Sequence, residues 1–180
     1  MANVTASPGT LANDSSEGTT AWQNPANAAS SDDNRASCTL VGVSTTQLLK
    51  CTNFGFAIPS DATIDGIQVS VERIGSLTRV SDEKIQLVKG GTLQGDNKAS
   101  ASTWPTSDGT ATYGGAADKW NLTWSPSDVN ASNFGVVVRA KSSNNATPGV
   151  DHVQITVTYT PAASEMAIKH MYYARMRAKS

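Results

Sequence analysis

The sequence predicts an all-β domain in which two antiparallel sheets pack as a jelly-roll-like or Ig-like β-sandwich. Ser, Thr, Asn, Gly and Ala dominate the composition, and turn-forming residues recur every several positions, as in proteins built of strands and loops. Several segments alternate apolar and polar residues with period two, which indicates strands with one buried face. We find no convincing internal helical pattern and expect about eight strands.

The clearest strands lie in the middle and at the end of the chain. The segment TIDGIQVSVERIG alternates once a step at Gly66 is allowed, EKIQLVKGG stops at paired glycines, and VDHVQITVTYT is the last strand. The residues expected to face the core are Ile64, Ile67, Val69 and Val71; Ile85 and Leu87; and Val153, Ile155, Val157 and Tyr159.

Two similar phrases, which we call the NFG corners, are far apart in the chain. They are NFGF (53–56) followed by PSDA (59–62), and NFGV (133–136) preceded by PSDV (126–129). In each corner Pro and Asp set a turn, and we expect Phe54 and Phe134 to fill the core. Gly55 and Gly135 allow a backbone conformation or a close approach that a side chain would block.

The domain boundaries follow changes in composition. Residues 1–20 are polar and lack periodicity, so we expect a flexible or partner-ordered N-terminal arm. The sandwich should span 21–161, and a basic, Met- and Tyr-rich tail occupies 162–180. Cys38 and Cys51 flank a predicted hairpin that would place them opposite each other, so a disulfide is geometrically allowed, although reduced, packed thiols are favoured in the cytoplasm.

Charge and hydropathy exclude some classes of protein. The net charge of −1 and the charged fraction of 16% do not indicate nucleic-acid binding. The N-terminus has no signal-peptide pattern, and no segment approaches the roughly 18 apolar residues of a membrane span. We therefore expect a soluble protein made in the cytoplasm, with no membrane partner.

The residues that catalysis requires are scarce. His152 and His170 are the only histidines, and His152 beside Asp151 is interpreted as a strand-edge pair. Nucleophile-elbow, phosphate-loop and dinucleotide-binding motifs are missing. We predict that the protein is not an enzyme and has no cofactor.

Two weaker binding hypotheses concern cations and sugars. Asp32, Asp33 and Asn34, with Asp118 or Asp151, offer oxygen ligands for calcium, but a solvated acidic turn is favoured. Three tryptophans lie in loop-rich sequence, where core packing is favoured over a protein contact or a sugar-stacking platform. These are Trp104, Trp120 and Trp124.

The tail differs sharply from the rest of the chain. Within 162–180, four basic residues against one acidic residue give +3, and the ten basic and fourteen acidic residues of 1–161 give −4. An apolar, Met-rich, basic segment favours docking on a partner chain or a second copy, with packing onto its own domain as the alternative. The predicted partner-binding residues are Met166, Ile168, Met171, Tyr172, Tyr173, Arg175, Met176 and Arg177.

The sequence resembles a family of bacteriophage virion proteins and related phage-encoded β-sandwich domains. The resemblance spans about residues 21 to 160 and does not include the tail. Its segments are AWQNPANAASSDDNRAS (21–37), FGFAIPSDATIDGIQVSVER (54–73), IQLVKGGTLQGDNKA (85–99), WPTSDGTATYGG (104–115) and SPSDVNASNFGVVVRAK (125–141).

The resemblance implies a structural role in the virion without choosing the location. The leading hypothesis is a capsid decoration or cement protein that binds the major capsid protein through its terminal arms and stabilises the shell, as a homo-oligomer for which we predict a trimer. The alternatives are a neck, tail or fibre component, and a host-glycan-binding module that would use the tryptophans.

Overall fold

The computed structural model describes residues 1–163 and shows two antiparallel sheets packed as a β-sandwich, which confirms the predicted fold class. A five-residue α-helix, α1 (Pro126–Asn130), and two 3-10 helices at Pro25–Ala28 and Ser76–Thr78 connect the strands. Within these residues no helix is long and apolar enough to cross a membrane. The strands are β1 (Ala2–Ala6), β2 (Thr10–Asp14), β3 (Ala36–Ser37), β4 (Ser44–Thr45), β5 (Leu48–Thr52), β6 (Thr63–Gly75), β7 (Val80–Lys89), β8 (Thr92–Gln94), β9 (Gly109–Gly115), β10 (Gly135–Ser142) and β11 (Pro148–Thr160).

The strands divide between two sheets. Sheet 1 has the order β1-β11-β6-β9, with the short β3 pairing with β11. Sheet 2 has the order β2-β5-β10-β7-β8, with the short β4 pairing with β10. Chain neighbours are often not sheet neighbours, so most of the fold depends on contacts between distant parts of the sequence.

The first residues of the chain belong to the sandwich. Strand β1 pairs with β11, with Ala2 opposite Tyr159, and β2 pairs with β5 in the other sheet, with Thr10 opposite Thr52. The predictions of a flexible arm over residues 1–20 and of a sandwich starting at residue 21 are therefore wrong. Main-chain hydrogen bonds hold these edge strands, and only a few small or aliphatic side chains from them pack on the core, so the sequence carried little apolar signal.

The long strands of sheet 1 follow the predicted alternation. Ile67, Val69 and Val71 of β6 are fully buried, as are Val153, Ile155 and Val157 of β11. The step at Gly66 corresponds to a shift in the β6–β11 register, because Gly66 lies opposite Thr158 and Ile64 opposite Tyr159. A second shift, between Val150 and His152, leaves Asp151 as an extra residue of β11 in a β-bulge.

The predicted hairpin between the cysteines does not form. Residues 36–37 pair with β11 in sheet 1, whereas residues 48–52 pair with β2 and β10 in sheet 2. Cys38 and Cys51 are consequently free, buried thiols with no disulfide between them. Burial raises the pKa of Cys38 to about 11 and also raises the pKa of Cys51, so both remain protonated at neutral pH.

The two NFG corners meet in one aromatic cluster at one end of the sandwich. Phe54, Phe56 and Phe134 are buried, with ring centroids 6.0–6.4 Å apart. Gly55 has a φ of +67°, and a Cβ on Gly135 would lie 1.9 Å from the Cys51 carbonyl oxygen. The prediction for both corners is confirmed: one glycine allows the backbone conformation and the other allows the close approach.

A buried polar network connects the two sheets toward the opposite end. The Arg73 guanidinium of β6 contacts the Asp82 carboxylate of β7 and the Tyr113 hydroxyl. Tyr113 Oη donates to Asp82 Oδ2 at 2.8 Å, and Trp104 Nε1 donates to Asp82 Oδ1 at 2.8 Å. The Ser100 amide donates to Asp82 Oδ2 at 2.9 Å. The carboxylate is therefore satisfied from several elements, as a buried charge requires.

Candidate functional site

The sandwich has two distinct ends. We call the end with the NFG corners the corner end. At the opposite end lie three connections, residues 41–43, 76–79 and 143–147, which together we call the loop end. The loop end is the stronger candidate for an interaction surface because of the side chains that it exposes.

Three aliphatic side chains of the loop end face solvent. Val41 is 74% exposed, Val43 is 87% exposed and Leu77 is 62% exposed. Among the described residues the other exposed large apolar side chain is Met1. Exposed apolar groups on neighbouring loops are typical of an interaction surface.

Hydrogen bonds fix the loop end. The Gly42 amide donates to Asn145 Oδ1 at 2.7 Å, and Ser142 Oγ donates to the Gly42 carbonyl oxygen at 2.8 Å. On the other side, the Thr147 amide donates to Ser76 Oγ at 2.7 Å, and the Ser143 amide donates to the Arg79 carbonyl oxygen at 3.0 Å. Residues 143–147 therefore connect the loop of the two valines to the turn of Leu77.

The Leu77 turn is conformationally strained. Leu77 has a φ of +60°, and the adjacent Thr78 has a φ of +47°. An L-residue in this left-handed region costs about 1–2 kcal/mol. The surrounding hydrogen bonds hold an exposed leucine in an unfavourable conformation, a pattern that occurs often at functional sites.

A cleft of about 440 Å³ lies beside the Leu77 turn, and we call it the Arg35 cleft. Arg35 Nε donates to Asp108 Oδ1 at 3.1 Å, Nη2 contacts the second oxygen of the same carboxylate, and Nη2 also donates to Asp33 Oδ1 at 2.8 Å. The bond to Asp108 raises the pKa of the Arg35 guanidinium above its ordinary value, so the group stays charged. The lining residues are Asp33, Arg35, Ser37, Ile74, Gly75, Ser76, Thr106, Thr147 and Gly149.

The tryptophans form no exposed platform. Trp104 and Trp120 are fully buried, and each indole N–H is bonded inside the fold, to Asp82 and to the Ile67 carbonyl oxygen. Trp124 is partly buried, stacks edge-on against Phe134 and carries Lys89 over its ring. The preferred prediction of core packing is confirmed for Trp104 and Trp120, and a sugar-stacking surface built from all three is wrong.

Of the proposed calcium ligands, Asp32, Asp33 and Asp118 are engaged by other groups of the fold. Asp32 accepts hydrogen bonds from Asn34 and Ser30, and Asp33 pairs with Arg35. Asp118 pairs with Lys98 at 2.8 Å. Within residues 1–163 no three His, Cys, Asp or Glu side chains form a group suited to a metal ion.

Asp151 carries an unusual carboxylate. The residue is buried, and its Oδ1 has no hydrogen-bond partner. Burial raises the pKa of Asp151, the nearby Glu72 and Asp32 raise it further, and Arg35 and a hydrogen bond from the Asp33 main chain oppose them. This carboxylate destabilises the fold in its charged form.

His152 has a partner that the sequence did not reveal. Its Nε2 lies 2.8 Å from Ser7 Oγ, which ties the end of the N-terminal strand region to β11. A polar pocket of about 310 Å³ adjoins it, with Glu72 and Gln154 in its lining. Because Ser7 and His152 are 145 positions apart, no local motif signals the pair.

The predicted partner-binding residues of the tail lie outside the described residues. These are Met166, Ile168, Met171, Tyr172, Tyr173, Arg175, Met176 and Arg177. Sequence reasoning did not identify Val41, Val43, Leu77 or the Arg35 cleft. The valines lie within TLVGVST, which reads as a core strand, and the cleft is built from segments widely separated in the chain.

No protein-family model matches the chain, and no curated protein sequence matches it. Among solved structures, a family 4 carbohydrate-binding module shares 12% identity at a TM-score of 0.39, over 85% of this chain and 92% of that chain. A family 35 carbohydrate-binding module from Cellvibrio japonicus Abf62 shares 11% identity at a TM-score of 0.39, over 90% and 99% of the two chains. The N-terminal cellulose-binding domain of Cellulomonas fimi β-1,4-glucanase C shares 11% identity at a TM-score of 0.33, over 90% of each chain. At these values the comparisons assign no family, and function must be inferred from the residues of this chain.

Proposed function

We propose that this chain is a non-catalytic structural protein of a bacteriophage virion that binds a partner protein through its loop end. Its most specific form is a capsid decoration or cement protein whose partner is the major capsid protein. The observation that carries the proposal is the exposure of Val41, Val43 and Leu77 on two loops that hydrogen bonds to residues 143–147 hold together. The sequence resemblance to phage virion domains is the reason for proposing a virion as the location.

The loop end has the properties of a protein contact. Fully burying a valine or leucine side chain contributes about 1.5–3 kcal/mol, so three such side chains supply substantial binding energy. Because the loops are already fixed, little conformational entropy is lost when a partner covers them. Arg79 and Asn145, which contact each other at this end, are partly or fully exposed polar residues of the kind found at the rim of interfaces.

The basic tail is the second proposed contact. It follows Thr160, which pairs with Thr63 at the corner end. Strand β11 has thirteen residues, so at about 3.3 Å per residue the end of the strand from which the tail continues lies about 40 Å from the loop end. A protein that binds at both ends bridges different parts of a shell, and buried area spread across subunit boundaries would resist internal pressure.

A non-catalytic role agrees with how the candidate catalytic groups are used. His152 shares a hydrogen bond with Ser7, and the neighbouring Asp151 is buried. The acidic groups Asp82 and Asp118 are held in ion pairs with Arg73 and Lys98. These arrangements serve the fold, and the proposal assigns no reaction to them.

The copy number of the chain in purified virions tests the proposal. Quantitative mass spectrometry against the major capsid protein should give a ratio near that of the shell protein for a decoration protein. A copy number far below that of the shell protein would instead indicate a structural role in the neck, tail or fibres. Absence of the chain from virions would contradict the proposal altogether.

The contribution of the tail is tested by deleting residues 162–180. We expect the truncated chain to keep the thermal unfolding transition of the sandwich and to lose binding to the capsid. Binding at full occupancy would exclude the tail as a contact and leave the loop end alone. The trimer stays a prediction, for which light scattering of the purified chain gives the mass directly.

A further inference from the structure

The Arg35 cleft combines fixed charges, hydroxyl groups and an apolar strip in a small volume. At about 440 Å³ it falls within the range of about 300–1000 Å³ that is usual for small-molecule sites. None of its lining residues belongs to the exposed aliphatic set of the loop end. From this chemistry we propose that the cleft binds a neutral saccharide unit.

The charged groups of the cleft hold one another. Asp108 holds Arg35 through both carboxylate oxygens, Asp33 contacts the same guanidinium, and Arg35 Nη1 donates to the Asp33 carbonyl oxygen at 3.2 Å. The Asp33 carboxylate, which lines the cleft, keeps lone pairs that can accept hydrogen bonds from sugar hydroxyls. Because these groups are already paired, less reorganisation is needed when a ligand binds.

Hydroxyl groups in the lining complete the polar set. Ser76 Oγ accepts a hydrogen bond from the Thr147 amide at 2.7 Å, which fixes the oxygen and leaves its own proton available to a ligand. Ser37, Thr106 and Thr147 also line the cleft. Adjacent donors and acceptors of this kind match the hydroxyl groups of a sugar ring.

An apolar strip also lines the cleft. It consists of Ile74 with Gly75 and Gly149. A Cβ on Gly149 would lie 3.0 Å from both Arg35 Cδ and Ile74 Cγ2, so the glycine allows the backbone to approach the arginine stem. The C–H face of a pyranose ring can pack on such a strip without an aromatic platform.

The charge of the cleft selects against acidic sugars. Arg35 and Asp33 in the lining contribute one charge of each sign, and Asp108, which is paired with Arg35 but lies outside the lining, brings the sum of these groups to −1. The guanidinium is already paired with both carboxylates and is not free to form a fork with a ligand carboxylate. A neutral sugar avoids the repulsion that an anionic sugar would meet.

The inference goes beyond the proposed function because the exposed aliphatic side chains that carry that function do not line the cleft, whereas Ser76 and Thr147 belong to both the loop end and the cleft. Loss of protein binding at Val41, Val43 and Leu77 would leave the cleft unchanged, and filling the cleft would leave those side chains exposed. Ser76 in the cleft wall is the immediate neighbour of Leu77. A sugar bound there would therefore lie beside the proposed protein contact.

The test is an NMR titration of the full chain labelled with ¹⁵N. The probes are the methyl glycosides of glucose, galactose, mannose and N-acetylglucosamine, with N-acetylneuraminic acid as the anionic comparison. We expect at least one neutral probe to give saturable shifts at the amides of Gly75, Ser76, Thr106 and Gly149, with a Kd on the order of 1 mM. The anionic probe should bind at least tenfold more weakly.

A matched pair of variants separates the cleft from the rest of the surface. Thr106→Trp places a large side chain at an exposed position in the cleft lining, and Thr112→Trp makes the same change at an exposed position of β9 outside it. The first should abolish the shifts, and the second should keep them. The proposal is overturned if no neutral probe gives saturable shifts there, if the anionic probe binds as well, or if Thr106→Trp binds like the parent chain.

Discussion

The two ends of the sandwich treat their large apolar side chains in opposite ways. At the corner end Phe54, Phe56 and Phe134 are at most 5% exposed and pack against one another. At the loop end Val43 is 87% exposed and Leu77 is 62% exposed. The fold thus buries these three phenylalanines at one end and leaves aliphatic side chains exposed to solvent at the other.

The ends also differ in what lies beneath them. Two hydrogen bonds of the Asn130 side chain join the two NFG corners. Asn130 Oδ1 accepts from the Ile58 amide at 2.9 Å, and Asn130 Nδ2 donates to the Ile58 carbonyl oxygen at 2.8 Å. Toward the loop end the core contains the Arg73–Asp82 network. The exposed aliphatic groups therefore rest on a well-fixed base, and their exposure is not a sign of loose packing. This difference favours the loop end as the surface that meets a partner.

The largest expected difference between the ends concerns stability. Phe134→Ala removes a fully buried ring and should lower the free energy of unfolding by about 3–5 kcal/mol. Val43→Ser changes an exposed side chain and should alter it by no more than about 0.5 kcal/mol. Urea unfolding of both variants measures the contrast, and equal losses would contradict the comparison.

The buried network should be nearly as costly to break. Asp82→Ala leaves the Arg73 charge buried without its carboxylate and should destabilise the fold by about 3–5 kcal/mol. The double variant Asp82→Leu with Arg73→Met removes both charges and should recover most of this loss. If urea unfolding shows the double variant to be as unstable as Asp82→Ala, the cost arises from packing and not from the unpaired charge.

A smaller effect is expected at Asp151 and should depend on pH. Burial raises the pKa of Asp151 above its ordinary value of 3.8, so the folded chain binds this proton more tightly than the unfolded chain does. The resulting stability is present below pH 3.8 and is lost as pH rises through the raised pKa. Asp151→Asn should therefore unfold at a higher temperature than the parent at pH 7, corresponding to a gain of about 1 kcal/mol in the free energy of unfolding, and show no gain at pH 3.5.

Comparing Asp151→Asn with the parent at each pH cancels the titration of other carboxyl groups. This matters because hydrogen bonds lower the pKa of Asp14, and hydrogen bonds and a lysine outweigh burial to lower the pKa of Asp128, so both destabilise the fold as pH falls below 3.8. A loss of stability in Asp151→Asn at pH 7 would contradict the claim that the charged Asp151 carboxylate destabilises the fold. It would show that the carboxylate holds a partner in solution.

The smallest expected effect isolates the strain at Leu77. Leu77→Gly relieves the φ of +60°, whereas Leu77→Ser removes the same exposed aliphatic group and keeps the strain. Relief of about 1–2 kcal/mol of strain is partly offset by the greater backbone entropy that glycine loses on folding, so the glycine variant should be about 0.5–1 kcal/mol more stable than the serine variant. Thermal unfolding compares them, and equal melting temperatures would show that the turn stores no strain.

The sequence predicted the parts of the fold that have a local signal. Period-two alternation identified β6 and β11, and the repeated NFG phrases identified two corners with buried phenylalanines. It missed β1 and β2 because edge strands are held by main-chain hydrogen bonds that leave little apolar pattern. The hairpin between Cys38 and Cys51 was wrong because the partners of those residues lie in different sheets.

The candidate site was less accessible to sequence reasoning than the fold. Val41 and Val43 flank Gly42 in a segment that resembles a buried strand, and only the three-dimensional arrangement shows that they face solvent. The Arg35 cleft joins segments that are up to 116 positions apart, from Asp33 to Gly149. Such sites depend on long-range topology, which a single sequence does not reveal.

Binding of a loop-end variant to the virion tests the central claim most directly. The triple variant V41S/V43S/L77S would be titrated against virions or capsids stripped of this protein, beside the parent chain and the Thr112→Trp control. We predict at least about tenfold weaker binding for the triple variant, which corresponds to 1.4 kcal/mol or more, with an unchanged unfolding midpoint. Binding equal to that of the parent would contradict the assignment of the loop end as the partner surface.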